Sequence, residues 1–298
     1  MQSASISLSS WAGNGTFPFG STLAVLSGFP SDSFVLEAAA AIVHAGLPWR
    51  AILPVSLPAR AKCRWGESPE HALAVDYAVR REDAAVYLAM MRRTLARMGV
   101  NQPCEVGEAL ERELAPMLLA MARRANLLVM ATPDERKADM PAGAHWFARL
   151  LMQSGRPVLV LPPGARLHAA PSRALVCYRA TPQATRALQE AIHTLPTVCS
   201  VHLVSVLGSS GSRADASNAA SLAAAAAHVQ RHGRHATFEI VDSQGGPPED
   251  AMLQKAREVT SDVIVMGAYG HARYAELVFG GTTQALLRRS GTALFMAH

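Results

Sequence analysis

A chain of 298 residues that is 50% hydrophobic and 17% charged can bury a large core, and its length fits two units of about 150 residues better than one. The formal charge of +5 is spread over arginine pairs on helical patterns (Arg80/Arg81, Arg92/Arg93, Arg123/Arg124, Arg288/Arg289), and with only 6% aromatics the chain lacks the basic, stacking stripe of a nucleic-acid binder. Cys63, Cys104, Cys177 and Cys199 contain no C-x-x-C, and the apolar stretch 114–132 is cut by Arg123 and Arg124, so a reduced, cytoplasmic protein with no nucleic-acid and no membrane partner is expected.

The Ser- and Gly-rich residues 1–20 lack the basic start and apolar stretch of a secretory signal and read as a flexible tail. Apolar runs then alternate with helical patterns. The first unit reads as strand 23–26, helix 33–44, strand 51–55, a long helix 69–98, strand 104–107, helix 110–124, strand 127–130, helix 146–153 and strand 158–161. Residues 162–171, with four prolines and glycines in ten, read as a linker. The second unit repeats the order: strand 174–178, helix 182–194, strand 198–207, helix 216–231, strand 236–241, a helix opening at Pro247, strand 263–266, helix 283–289 and strand 293–296. This predicts an α/β fold of two tandem domains, 21–166 and 170–298, each a five-stranded, parallel-type, Rossmann-like open sandwich. The fifth strands, short and apolar, are expected to be edges that meet across an internal pseudo-two-fold.

The duplication is visible residue by residue. Met130-Ala131-Thr132-Pro133-Asp134 stands 136 positions before Met266-Gly267-Ala268-Tyr269-Gly270; Ala144 then matches Gly280, and Ser154-Gly155 matches Ser290-Gly291 without a gap. In the second copy the order is strand, Gly267-x-x-Gly270, nine residues, Gly280-Gly281-Thr282-Thr283, helix. Glycines there let backbone amides approach an anion, the helix start adds unpaired amides and partial positive charge, and the threonines add hydroxyls. The first copy has Ala131, Asp134 and Ala144 at the three glycine positions, and a carboxylate repels phosphate, so its loop is expected to bind none.

The glycine pattern resembles the signature of universal stress proteins: G-x-x-G, nine residues, then Gly followed by Ser or Thr. The resemblance covers the C-terminal half by motif and the N-terminal half by topology and spacing, so the chain looks like a tandem member. It implies that Gly267, Gly270, Gly280, Gly281, Thr282 and Thr283 wrap the phosphates and ribose of ATP, ADP or AMP, with magnesium accompanying the nucleotide. His271 and Arg273 are candidate donors, and the backbone at Val206 is implied to meet adenine. Two departures stand out: Gly281 occupies a position usually held by Ser or Thr, leaving the hydroxyl role to Thr282, and Arg179 replaces the family's Asp at the tip of the first strand. The implied assembly is an intramolecular pseudo-dimer of the two domains, with a homodimer left open.

No local nucleophile, base and orienting acid can be assembled, so no catalytic residue is assigned. Two alternatives stay open: a scaffold of the same fold without ligand, and slow ATP hydrolysis or phosphate transfer to Thr282 or Thr283. His228, His232 and His235 read as a polar helix end and not as metal ligands. Gly208-Ser209-Ser210-Gly211-Ser212 reads as a loop, and Met90, Met91, Met98, Met117 and Met121 as core.

Overall fold

The computed structural model describes residues 21–29, 31–43, 49–60, 67–132, 141–207, 213–268 and 280–298. The first unit runs β1 (Ser21–Val25), α1 (Asp32–Ile42), β2 (Trp49–Leu57), α2 (Pro69–Arg97), β3 (Cys104–Leu110), α3 (Glu111–Ala122), β4 (Ala125–Ala131), α4 (Pro141–Gln153) and β5 (Val158–Leu161). The second runs β6 (Arg173–Cys177), α5 (Pro182–Thr194), β7 (Ser200–Leu207), α6 (Arg213–Arg231), β8 (His235–Asp242), α7 (Pro248–Glu258), β9 (Val263–Gly267), α8 (Gly281–Arg289) and β10 (Ala293–Ala297). Sequence and structure agree on every one of these elements to within a few residues. The largest shift is at the start of α4, which opens at Pro141 because proline suits the first turn of a helix.

The expected pair of five-stranded sheets is one ten-stranded sheet in the order β3-β2-β1-β4-β5-β10-β9-β6-β7-β8. Every neighbouring pair is parallel except β5 and β10, the two fifth strands, which meet antiparallel with Leu159 opposite Phe295 and Val160 opposite Leu294. All four of these residues are fully buried. The central strands read as unbroken apolar runs because both faces are covered. Val35 of α1, Leu88 of α2, Leu188 of α5 and Leu222 of α6 join the core on one face. Leu118 of α3, Leu150 of α4, Leu253 of α7 and Leu286 of α8 fill the other.

The internal repeat extends to individual hydrogen bonds. Thr132 N donates to Leu161 O at 3.0 Å, and 136 residues later Ala268 N donates to Ala297 O at 2.8 Å. Buried Ser154 accepts from Arg156 N at 3.2 Å, as buried Ser290 does from Thr292 N at 3.1 Å, so each unit closes its last helix with the same serine-held turn.

The linker is docked. Ala165 and Leu167 are buried, the Arg166 guanidinium lies 4.2 Å from the Phe34 ring centre, and His168 Nδ1 is 3.3 Å from Glu37 Oε2, which fastens the linker to α1. Across the junction Arg186 donates to Gly155 O at 2.6 Å.

Two expectations need correction. Met90 is not core: it is exposed together with Val75, Val79 and Val86 on the outer face of α2, whose inner face buries Ala84, Leu88, Met91 and Leu95. Arg123 and Arg124 stand in the turn after α3 and not on a helix face, where the Arg123 carbonyl accepts from Arg156 at 2.8 Å. The chain must turn there to begin β4.

Candidate functional site

In the second unit the chain leaves β6 toward β7 and β8 on one side, and leaves β9 toward β10 on the other. The boundary between β6 and β9 is a topological switch point, where loops part and leave a crevice at the carboxyl ends of the strands. Arg179, Val206 and Gly267 lie at this edge, and α8 begins in the connection that leaves β9.

Gly267 ends β9. A Cβ there would stand 2.6 Å from Ala184 N and 2.7 Å from the carbonyl carbon of Gln183, so the first turn of α5 rests directly on it. That turn is set by Pro182 in its first turn and by the Thr181 hydroxyl, which accepts from Ala184 N at 3.3 Å. Gly267 is therefore demanded by packing within the chain. Beyond it, Ala268 O is 3.1 Å from His298 Nδ1. Gly270, His271 and Arg273 lie outside the described residues.

The glycines at the start of α8 are different. Gly280 is the N-cap with φ −60° and ψ 149°, Gly281 follows it, both are exposed, and a Cβ on either meets nothing within 4 Å. Among the described residues, no intrachain contact or left-handed backbone requires glycine at these two positions. What they present is bare backbone at a helix start, whose first amides have no intrahelical acceptor. Thr283 is buried, and Thr282 donates its hydroxyl to Glu249 Oε2 at 3.4 Å.

At the base end, Tyr178 N donates to Val204 O at 2.8 Å, the last bond from β6 to β7. β7 runs on to Leu207, and residues two apart on a strand direct their amides to the same side. The backbone of Val206 thus faces the β6 side beyond the end of the β6–β7 pairing. Arg179 is exposed, with its carbonyl accepting from Thr181 N at 2.7 Å.

The first unit has the same edge in a different state. Register maps Ile52 onto Val204, since Val25 opposes Ile52 as Cys177 opposes Val204, and so maps Pro54 onto Val206. Proline has no N–H to offer. Ala131 takes the place of Gly267 and is buried, while Asp134 and the side chain of Ala144 lie outside the described residues. Fully buried Asp32, at the start of α1, turns its carboxyl back onto the loop after β1. It accepts from Ser27 N at 2.7 Å, Gly28 N at 2.8 Å and Ser27 Oγ at 2.8 Å, and from the Tyr87 hydroxyl of α2. Gly28 takes φ +82° to present its amide, a conformation that suits glycine. Burial raises the Asp32 pKa above its ordinary value against the pull of these donors, and burial together with the nearby Asp32 carboxylate raises that of Tyr87. An internal carboxyl group thus occupies loop amides of the first unit.

Sequence reasoning missed Asp32, Pro54 and Glu249. Asp32 had a signal in Ser31-Asp32 before an apolar helical pattern; Pro54 and Glu249 needed strand register and helix packing. His228 and His232 have ring centres 4.5 Å apart, Gln189 bonds His228 at 2.8 Å, and among the described residues no group of three His, Cys, Asp or Glu could hold a metal. Gly208 to Ser212 lie outside the described residues. Among those described, no helix is long and apolar enough to cross a membrane.

Compared with known families, residues 172–298 match the Universal stress protein family. That half is a universal stress protein domain. A universal stress protein from Archaeoglobus fulgidus DSM 4304 is similar over 95% of this chain and 98% of its own, with 17% identity and a TM-score of 0.64. A protein of unknown function from Pseudomonas aeruginosa PAO1 is similar over 94% of this chain and 93% of its own, with 12% identity and a TM-score of 0.51. These likenesses extend the fold to the N-terminal half. A universal stress protein from Archaeoglobus fulgidus in complex with dAMP matches 42% of this chain and 96% of its own, with 20% identity and a TM-score of 0.33. No curated protein matches the sequence.

Gly267→Ala is expected to lower stability by about 1–3 kcal/mol without any ligand, because α5 must move off β9; urea denaturation measures it, and an unchanged midpoint would contradict the packing role. Asp32 supplies a pH dependence. Its native pKa is raised, so the folded state holds more protons from about pH 4 upward, and stability falls as pH rises through that window. Asp32→Asn removes this contribution. The stability of wild type minus that of the variant, from urea melts at a series of pH values, should decrease with rising pH.

Proposed function

We propose that the C-terminal universal stress protein domain binds one adenine nucleotide per chain, ATP first and ADP or AMP as related ligands, in a cytoplasmic stress-response or regulatory role. The observation that carries this reading is the pair Gly280 and Gly281, exposed glycines at a helix start that no packing among the described residues requires. A phosphate held by the amides of Gly281, Thr282 and Thr283 gives those glycines a purpose. Gly270, His271 and Arg273 join this end by the sequence signature. Gly267 sets the floor of the crevice, the Val206 backbone meets the base, and the Arg179 guanidinium, a donor only, favours phosphate or ribose oxygens over the adenine amino group.

In this reading the N-terminal unit is a built-in partner that completes an intramolecular pseudo-dimer through β5 and β10 and binds no nucleotide itself. Free Cys104 and Cys177, whose thiols burial pushes up to about 11 and about 12, suit a reducing compartment in which neither serves as a nucleophile.

Gly281→Asp tests the reading. An acid in the first turn of a helix and a lost glycine both favour α8, so the melting temperature should hold or rise. The same carboxylate faces the phosphate, and ATP affinity should fall at least about tenfold. Calorimetric titration beside a thermal melt measures both, and a variant that binds ATP as wild type does would remove the α8 start from the site.

A further inference from the structure

We infer that Glu249 makes this site discriminate between a free nucleotide polyphosphate and its divalent-cation complex, in favour of the complex. The inference rests on the nucleotide reading above and concerns the form of ligand it accepts. Glu249 is in the first turn of α7, and its Oε2 accepts the Thr282 hydroxyl at 3.4 Å, which puts a carboxylate against the first turn of α8. Its position is fixed from two sides. Leu253 of α7 and Leu286 of α8 share one core cluster, and Asp250, beside Glu249, bonds Arg289 at the far end of α8 at 2.5 Å.

A bare polyphosphate entering at the amides of Gly281 to Thr283 thus meets a negative charge belonging to the chain itself. Two anions at one helix start repel each other, and the repulsion is weakened but not removed by the half-exposed setting of Glu249. A divalent cation riding on the phosphates reverses the sign. A carboxylate and a hydroxyl are hard oxygen donors of the kind magnesium accepts alongside phosphate oxygens and water. Glu249 and Thr282 are such a pair, so the donors present fit the ion. Without a cation Glu249 is a competitor of the ligand; with one it is a contact.

The test is calorimetric titration of the full chain with ATP, once in excess EDTA and once in excess magnesium, for wild type, Glu249→Gln and Glu258→Gln. Glu258 lies at the other end of α7 beside Lys255 and serves as a control for general charge. Wild type and Glu258→Gln should bind the magnesium complex more tightly than free ATP by about tenfold or more. Glu249→Gln should bind free ATP about tenfold more tightly than wild type and lose most of the preference for magnesium. Equal magnesium-to-EDTA affinity ratios in all three proteins, or the same loss in Glu258→Gln, would overturn the role of Glu249 while leaving nucleotide binding in place. No binding of either form by any of the three would overturn the nucleotide reading and this inference with it.

Discussion

The antiparallel pairing of β5 with β10 is the contact on which the rest of the architecture depends. Both strands are short, and the residues they set opposite each other are fully buried, so neither could remain an exposed edge without inviting association with another chain. Joining them merges two sheets into one and reverses the strand direction at the junction. The carboxyl edge of one unit therefore lies level with the amino edge of the other. This explains why so short a linker suffices: the end of β5 and the start of β6 fall on the same edge, three strand spacings apart, roughly 14 Å. The same reversal directs the two switch-point crevices to opposite edges of the sheet, so the units do not share one ligand.

Given two copies of one edge, their chemistry has diverged in opposite directions. The N-terminal copy has filled and blunted its crevice: Asp32 occupies the loop amides, Pro54 withholds an N–H where the other copy has Val206, and Ala131 replaces Gly267. The C-terminal copy keeps the backbone bare at Gly280 and Gly281 and confines its own carboxylate, Glu249, to the margin, where it meets Thr282. Glycine carries two different meanings along this one motif. At Gly267 it allows a helix to rest on a strand end; at Gly280 and Gly281 a Cβ would meet no described atom within 4 Å, and the proposed phosphate is what would make use of the bare backbone.

Much of the fold was legible in the sequence because buried parallel strands must be apolar on both faces and proline, glycine and hydroxyl residues mark the turns between them. Thr181-Pro182 before α5 and Ser68-Pro69 before α2 are such signals, and each caps the helix it introduces. Gly267 was legible as a glycine at the end of a strand, and the structure gives it a packing role under α5, while Gly270, His271 and Arg273 lie outside the described residues. What stayed hidden was whatever depends on register or on a neighbour distant in sequence. Pro54 becomes informative only once Ile52 is aligned with Val204. Glu249 read as an ordinary acid at a helix start, and its proximity to Thr282 arises from the packing of α7 on α8. Met90 followed a helical spacing but fell on the outer face, since α2 is apolar on two sides and periodicity does not say which side meets the sheet.

The central claim is that one of two copies of a fold binds nucleotide and the other has closed its edge. It is tested most directly by photo-crosslinking the full chain with an azido-adenine analogue of ATP in the presence of magnesium and mapping the labelled peptides by mass spectrometry. The account predicts label only on peptides from residues 172–298, displaced by excess ATP. Displaceable label on peptides bearing Ser27, Asp32 or Pro54 would contradict it.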